Sequence, residues 1–155
     1  TLVILLVFAA VRVSAGGYHM DTYGKCIMTS LALFVATGVI SQHTHKFWDI
    51  TYILTFALFS FIVSLLVFIK YAPSDTPNKP ITEPGDIRRF KRLSIITSIV
   101  WVIVVLALLY FKVGMYKAYI LAACFGLLLE TFTVSPAGYK FFDKVSGKVD
   151  QLKSN

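Results

Sequence analysis

Residues 50–69 read ITYILTFALFSFIVSLLVFI, a run of 20 residues with no charged side chain. A helix that crosses the hydrocarbon core of a bilayer needs about 20 predominantly apolar residues. Within lipid the backbone polar groups must be satisfied inside the segment itself, and a helix achieves this. The stretch therefore predicts a transmembrane helix and indicates a membrane protein.

The composition of the whole chain points to the same class. Hydrophobic residues make up 57% of the 155 residues and charged residues 15%, with a mean hydropathy of +0.73. An average soluble chain has roughly 45–50% apolar and about 25% charged residues. The composition excludes a disordered chain, which lacks the apolar residues for collapse. It also argues against a soluble enzyme, because so small a globule could not hide this much apolar surface.

Three further stretches are long enough to cross a bilayer, and the chain begins with a shorter apolar one. The shorter stretch, residues 1–11, has no preceding Met. It is interpreted as the end of a helix whose first part is missing, and a signal-peptide core is the alternative. The second span is short and rich in hydroxyl side chains, which predicts a position inside the protein. The predicted fold is all-α: one polytopic membrane domain, residues 1–155, with complete transmembrane helices at 27–42, 50–69, 93–111 and 116–134.

Positive charge is distributed unevenly between the loops. The chain carries 15 Lys and Arg against 8 Asp and Glu, a net charge of +7. If the segment 12–26 is cytoplasmic, the loop 71–92 and the tail 135–155 are cytoplasmic too, and 12 of the 15 basic residues face that side. Cytoplasmic loops carry the excess of Lys and Arg in membrane proteins, so this orientation is predicted. The basic cluster at residues 88–92 is either a lipid-headgroup anchor or a site that attracts an acidic ligand.

Cys26 and His19 are the residues best suited to catalysis. Cys26 follows Lys25 at the predicted start of the second span, and a neighbouring cation and a helix N-terminus both favour the reactive thiolate. His is the usual base for such a nucleophile. Seven residues of ideal helix would, however, place the two side chains about 10 Å apart along the axis. A catalytic pair therefore requires a bend, for which Gly24 is suited; the alternative is that the two residues are unrelated.

Other reactive or ionisable residues give weaker indications. Glu130 lies inside a predicted span, where an ionisable group suggests a function. Three roles are open for Glu130: it orients His19, it binds substrate, or it forms a structural hydrogen bond to another helix. Cys124 lies within an apolar span and is interpreted as a core residue. His43 and His45 form an H-x-H pair with no third ligand nearby, so neither a metal nor a cofactor is expected.

Three short motifs follow one another along nearly the whole chain. They are RVSAGGYH at residues 12–19 followed by Cys26, Tyr71-Ala72-Pro73 followed by NKPI at residues 78–81, and GLLLE at residues 126–130 with Thr133. Together they resemble the accessory gene regulator protein B (AgrB) family, the membrane endopeptidases of bacterial quorum sensing.

The resemblance implies a reaction and a substrate. Family members cut an AgrD-like precursor signal peptide, which has an acidic C-terminal segment, on the cytoplasmic side of the cell membrane. By motif position Cys26 matches the nucleophile, which holds the N-terminal part of the precursor as a thioester. A Cys or Ser of the precursor then closes a thiolactone or lactone ring. His19 matches the general base of this Cys-His dyad.

Supporting residues and partners complete the prediction. Residues expected to bind substrate or support the site are Arg12, Gly16, Gly17, Lys79 and Glu130. The resemblance implies a homodimer in the lipid bilayer, and no nucleic-acid partner is expected. The alternative, from another class, is a non-catalytic small membrane transporter or sensor subunit in which His19 and Cys26 are incidental.

Overall fold

The computed structural model of the chain describes residues 2–18, 23–74, 83–110 and 117–146. These residues are 92% helical and contain no strand. Their helices are α1 (Leu2–Ala15), α2 (Tyr23–Phe47), α3 (Ile50–Tyr71), α4 (Pro84–Tyr110), α5 (Lys117–Val134) and α6 (Pro136–Ser146). The predicted all-α class is confirmed.

Four of the helices, α2 to α5, are long and apolar enough to cross a membrane. Their spanning parts are Gly24–Phe47, Ile50–Tyr71, Pro84–Ala107 and Lys117–Val134. The predicted polytopic membrane fold with four complete spans is therefore confirmed. Helix α1 has 14 residues, which rise about 21 Å. That is less than the roughly 30 Å of a hydrocarbon core.

Several helices extend beyond the predicted apolar runs. Local backbone geometry sets where a helix begins and ends, and hydropathy does not report that geometry. Helix α1 continues past residue 11 and stops at Gly16, whose φ of +73° suits the first residue after a helix. Helix α2 begins at Tyr23, so Cys26 lies in its first turn. Helix α4 begins at Pro84, within the predicted loop 71–92. Proline is favoured at a first helical position because its missing N–H needs no partner there.

The polar tail also contains a helix that hydropathy did not predict. The Ser135 hydroxyl accepts a hydrogen bond from the Gly138 amide at 3.1 Å, which caps the start of α6. Pro136 then occupies the first helical position. Helix α6 turns back toward the bundle directly after α5.

Helix α5 is the centre of the bundle and packs against α1, α2 and α3. Of its spanning part 67% is buried, compared with 6% for α2. The prediction that the hydroxyl side chains of the second span place it inside the protein is therefore wrong. Thr37, for example, donates to the Leu33 carbonyl of its own helix at 2.7 Å. Such a hydroxyl is satisfied without a neighbouring helix.

Small and hydroxyl residues bring the other helices together. A side chain at Gly126 of α5 would place its Cβ 2.7 Å from the Ile4 carbonyl oxygen of α1, so glycine allows these two helices to touch. The Thr131 hydroxyl of α5 lies 2.7 Å from the Ser64 hydroxyl of α3. The buried Ser94 of α4 donates to the Ser14 carbonyl of α1 at 3.0 Å.

One end of the bundle collects most of the features singled out in the sequence. The C-terminal ends of α1, α3 and α5 lie there, together with the N-terminal ends of α2 and α4 and all of α6. We call it the site end.

Candidate active site

Two segments from distant parts of the chain pair at the site end. The Gly17 amide donates to the Ser74 carbonyl at 2.9 Å, and the Ser74 amide donates to the Ala15 carbonyl at 2.9 Å. These bonds form a parallel bridge between Gly16 and Ser74. Ser74 directly follows Tyr71-Ala72-Pro73, and Ala72 packs in the same buried cluster as Ala15, so the described part of the second motif lies beside the first.

The two glycines of the first motif are required by this pairing. Gly16 and Gly17 have φ angles of +73° and +135°, a region that side-chain-bearing residues rarely adopt. A Cβ at Gly16 would overlap the Ser74 carbonyl oxygen, and one at Gly17 would lie 2.7 Å from the Thr133 hydroxyl. Backbone conformation and close approach both exclude a side chain here.

Arg12, in the last turn of α1, connects this glycine segment to α5. Its Nη1 donates to the Thr133 hydroxyl at 3.1 Å. Its Nη2 donates to the carbonyl of Tyr18. The guanidinium also lies over the Phe8 ring, 5.6 Å from the ring centroid. One side chain therefore joins the first motif to the third.

Glu130 is the charge partner of Arg12, and its side chain is fully buried. Glu130 Oε2 lies 3.6 Å from Arg12 Nη1 and 3.1 Å from the Thr133 hydroxyl. Within the part of the chain that the structure describes, Oε1 has no hydrogen-bond partner. Because a carboxylate is costly to bury unless it is paired, Arg12 is what makes this position of Glu130 tolerable.

Cys26 lines a cavity of about 140 Å³ at the site end. The half-buried thiol shares this cavity with Arg12, Tyr18 and Thr133. The rest of the wall consists of hydroxyl and apolar side chains: Phe8, Thr29, Ser30, Leu33, Phe34, Leu129 and Phe142. A half-buried thiol in the wall of a cavity is within reach of a molecule bound there.

Helix α6 closes the outer side of this cavity through Tyr18. The Tyr18 ring stacks on Phe142 at a centroid distance of 5.2 Å and meets the edge of Tyr139 at 5.2 Å. The Tyr18 hydroxyl donates to Asp143 at 2.8 Å. The Ser74 and Tyr139 hydroxyls are hydrogen-bonded at 2.5 Å. Both paired segments are therefore anchored to α6.

The structure gathers five of the residues that the sequence indicated. Arg12, Gly16, Gly17 and Glu130 form one cluster, and Cys26 lines the cavity that Arg12 and Thr133 border. The predicted base and the predicted loop lysine, His19 and Lys79, lie outside the described residues.

The remaining candidates lie elsewhere in the bundle. Cys124 is buried in α5 against Ile53 and Ile120. His43, near the far end of α2, is hydrogen-bonded to the Val39 carbonyl at 3.0 Å. Across residues 2–18, 23–74, 83–110 and 117–146, no group of three or more His, Cys, Asp or Glu could hold a metal ion.

Sequence reasoning missed three contributors to the site. Ser74 supplies both backbone bonds to the glycine segment, while Tyr139 and Asp143 come from a tail that was expected only to be polar. In the sequence, Ser74 could have been recognised by its position directly after Tyr71-Ala72-Pro73. Helix α6 could have been recognised by Ser135-Pro136, a favoured helix start, followed by an amphipathic pattern.

Comparison with known proteins identifies relatives of the chain. A family model described as accessory gene regulator B matches residues 1–134. The chain is 30% identical over 140 residues to accessory gene regulator protein B of Staphylococcus aureus (strain MW2), covering 90% of this chain and 67% of the relative.

Two further relatives give a similar picture. Accessory gene regulator protein B of Staphylococcus lugdunensis is 29% identical, with 93% of this chain and 68% of the relative covered. An AgrB-like protein of Clostridium perfringens (strain 13 / Type A) is 24% identical, with 88% and 66% covered. The chain thus spans about two thirds of the length of the curated relatives it matches. No solved structure matches it.

Proposed function

Because the chain belongs to the accessory gene regulator B family, we propose that it acts in bacterial quorum sensing as a membrane cysteine endopeptidase. It cleaves an AgrD-like precursor signal peptide and closes part of it into a thiolactone or lactone ring. It works in the cell membrane as a homodimer, with the site end toward the cytoplasm.

The observation that carries this proposal is the position of Cys26. Its half-buried thiol lines a cavity at the end of the bundle where the described parts of the three family motifs lie. Tyr18 borders the same cavity, and His19 is the next residue in the chain. The other thiol, Cys124, is buried in the core of the bundle. One cysteine is therefore available for chemistry at this cavity.

The proposed reaction has two acyl transfers. His19 accepts the proton of the Cys26 thiol, and the thiolate attacks the carbonyl carbon of the scissile peptide bond. The C–N bond breaks, the amine of the acidic C-terminal fragment takes the proton from His19, and the N-terminal part remains on Cys26 as a thioester. A thiol or hydroxyl of the precursor then attacks the thioester carbonyl and passes its proton through His19 to the departing Cys26 sulfur.

The walls of the cavity suit a thioester that must survive until cyclisation. Hydrolysis competes with ring closure, so water has to be kept away from the intermediate. Phe8, Phe34 and Phe142 contribute aromatic rings to the cavity lining, together with Leu33 and Leu129. Polar groups in the lining come from Arg12 and Thr133 and from the hydroxyls of Tyr18, Thr29 and Ser30.

Charge at the site end suits the acidic segment of the precursor. Arg88, Arg89 and Arg92 of α4 are exposed, as are Lys140 and Lys144 of α6. A positive surface attracts and orients an acidic peptide. This favours the second interpretation of the basic cluster at residues 88–92, attraction of an acidic ligand.

The test is co-expression of the full-length protein with the precursor encoded beside it, followed by measurement of precursor mass. We expect Cys26→Ser and His19→Ala each to lower cleavage by at least about 1000-fold, because removing either member of a catalytic pair removes most of its effect. In the wild type the precursor loses the mass of its C-terminal segment.

The matched control is Cys124→Ser, which changes the other thiol in the same way. We expect near-native cleavage per folded molecule, since Cys124 packs with Ile53 and Ile120 and is not part of the wall of the Cys26 cavity. Native cleavage by both Cys26→Ser and His19→Ala would contradict the proposal and leave the transporter or sensor alternative.

A further inference from the structure

An ion pair buried between α1 and α5 has no step in the proposed reaction. The Glu130 side chain is 0% exposed and that of Arg12 is 19% exposed. Burying two charges costs free energy that their attraction often does not recover, and ionisable groups within spans tend to be functional. Apolar side chains would hold α1 on α5 at least as well, as Val7 and Leu127 already do.

The guanidinium of Arg12 makes two different contacts at once. Nη1 faces α5, where it meets Glu130 Oε2 at 3.6 Å and the Thr133 hydroxyl at 3.1 Å. Nη2 donates to the Tyr18 carbonyl. The planar fork of arginine holds two donors in a fixed arrangement, whereas the ammonium of lysine is a single point charge on a flexible stem.

The backbone that Arg12 holds is part of the cavity wall. The Tyr18 amide donates to the Thr133 carbonyl at 3.3 Å, so both polar groups of this peptide segment are tied to the same pair of residues. Tyr18 borders the cavity of Cys26. Gly17 leaves the space between Arg12 and Thr133 in which the chain passes.

We propose that Arg12, Glu130 and Thr133 form a positioning cluster that fixes the Gly17–Tyr18 backbone against the Cys26 cavity. Glu130 and Thr133 orient the guanidinium, and the guanidinium holds the Tyr18 carbonyl at the point where the chain continues to the proposed base. None of the three acts on the substrate. The consequence for catalysis rests on the proposed function, whereas the backbone restraint does not.

The first test is steady-state kinetics of the purified full-length protein in lipid nanodiscs with its precursor. We expect Arg12→Lys to lower kcat about 100-fold, the scale of a misplacement of about 1 Å, with KM changed less than about twofold, since binding contacts are kept. Thr133→Val removes the hydroxyl between Arg12 and Glu130 and is expected to lower kcat about 10-fold. Thr133→Ser restores the hydroxyl and is expected to restore kcat.

Thr131→Val is the matched control for Thr133→Val. Thr131 is a buried threonine of the same helix, and its hydroxyl contacts Ser64 and the Leu127 carbonyl instead of the cluster. We expect its kcat per folded molecule to equal that of the wild type. A raised KM with unchanged kcat in Arg12→Lys would show that Arg12 binds substrate. Unchanged kcat and KM with a lower thermal stability would show that Arg12 and Glu130 have a purely structural role. Either result overturns the proposal.

Hydrogen exchange gives a second readout that does not depend on cleavage. In Arg12→Lys and Thr133→Val we expect faster exchange confined to the amides of Gly17 and Tyr18, which the cluster restrains. Faster exchange spread through α1 and α5, or none at these two amides, overturns the proposal. If Cys26→Ser cleaves like the wild type, the proposed function fails. Hydrogen exchange at Gly17 and Tyr18 then tests by itself whether the positioning cluster restrains this backbone.

Discussion

At the scale of single residues, Gly17 shows how one position serves several contacts. Its amide donates to Ser74, its φ is +135°, and the space where a Cβ would stand is taken by Arg12 and Thr133. Glycine is therefore required both by the φ angle and by the lack of space for a Cβ. The sequence placed Gly16 and Gly17 among the residues expected to bind substrate or support the site. The structure shows a close approach of both glycines to other parts of the protein, Ser74 for Gly16 and the Arg12 and Thr133 side chains for Gly17.

Replacing Gly17 by Ala is expected to destabilise the protein by at least about 1–3 kcal/mol, since the new side chain meets both an unfavourable φ and a steric overlap. The thermal unfolding midpoint of the purified protein measures this, and cleavage is expected to fall with it.

Gly85→Ala provides the comparison for that substitution. Gly85 lies in the first turn of α4, where a Cβ meets nothing within 4 Å. Alanine is the better helix former by about 1 kcal/mol, so the midpoint is expected to stay equal or rise. A Gly17→Ala protein as stable as Gly85→Ala would refute the steric explanation.

At the scale of elements, α5 organises the bundle because its surface combines small residues with hydroxyls. Ala123 and Gly126 let neighbouring helices approach, and Thr131 bonds to α3. In lipid, packing of small residues and interhelical hydrogen bonds drive association, since apolar surface is already solvated by lipid tails. The most apolar span is α3, with a mean hydropathy of 2.6 against 1.5 for α5, yet α5 is the central helix.

Gly126→Val tests the packing of α1 on α5. The added side chain would meet the Ile4 carbonyl and Val7, so α1 must move outward, and overpacking of this kind costs about 1–3 kcal/mol. We expect a lower thermal midpoint and faster hydrogen exchange in α1.

Ala36→Val adds similar bulk at an exposed position of α2. Its midpoint is expected to remain within a few degrees of the wild type, since about 0.5 kcal/mol is usual for exposed sites. Equal effects of the two substitutions would mean that α1 does not rest on Gly126.

At the scale of the whole molecule, the apolar surface faces outward. Large side chains on α2, α3 and α4 are exposed, among them Leu31 at 56%, Leu58 at 61% and Ile103 at 59%. Apolar faces of this size would cause aggregation in water, whereas lipid tails solvate them. The basic residues collect at the site end, with Lys46 and Lys117 at the other end.

This asymmetry predicts the orientation in the membrane, which reporter fusions to the full-length protein test. Green fluorescent protein fused to the C-terminus is expected to fluoresce, and alkaline phosphatase fused there to be inactive, since an excess of Lys and Arg stays in the cytoplasm. Fusions in the connection between α2 and α3, at Asp49, are expected to behave in the opposite way. The reverse pattern at both places would place the site end outside.

The sequence alone determined the class of protein, the number of spans and the family. In a bilayer the backbone polar groups of each crossing segment must be hydrogen-bonded within that segment. Every span can therefore be recognised in the sequence as a continuous apolar run, such as residues 50–69. The family resemblance depended on short motifs that are also local, and the comparisons confirm it. The sequence indicated Arg12 and Glu130 as separate candidates for the same reason, since each is a conspicuous residue in its own segment.

Tertiary structure decided how those segments meet. The contact of Arg12 with Glu130 and Thr133, the pairing of Gly16 with Ser74, and the cavity that Cys26 shares with Arg12 all join parts that lie far apart in the chain. Hydropathy does not encode these contacts, because lipid and protein are equally good surroundings for an apolar face. Which face packs inward depends on small residues and polar partners supplied by other helices, and these act only once the bundle has assembled.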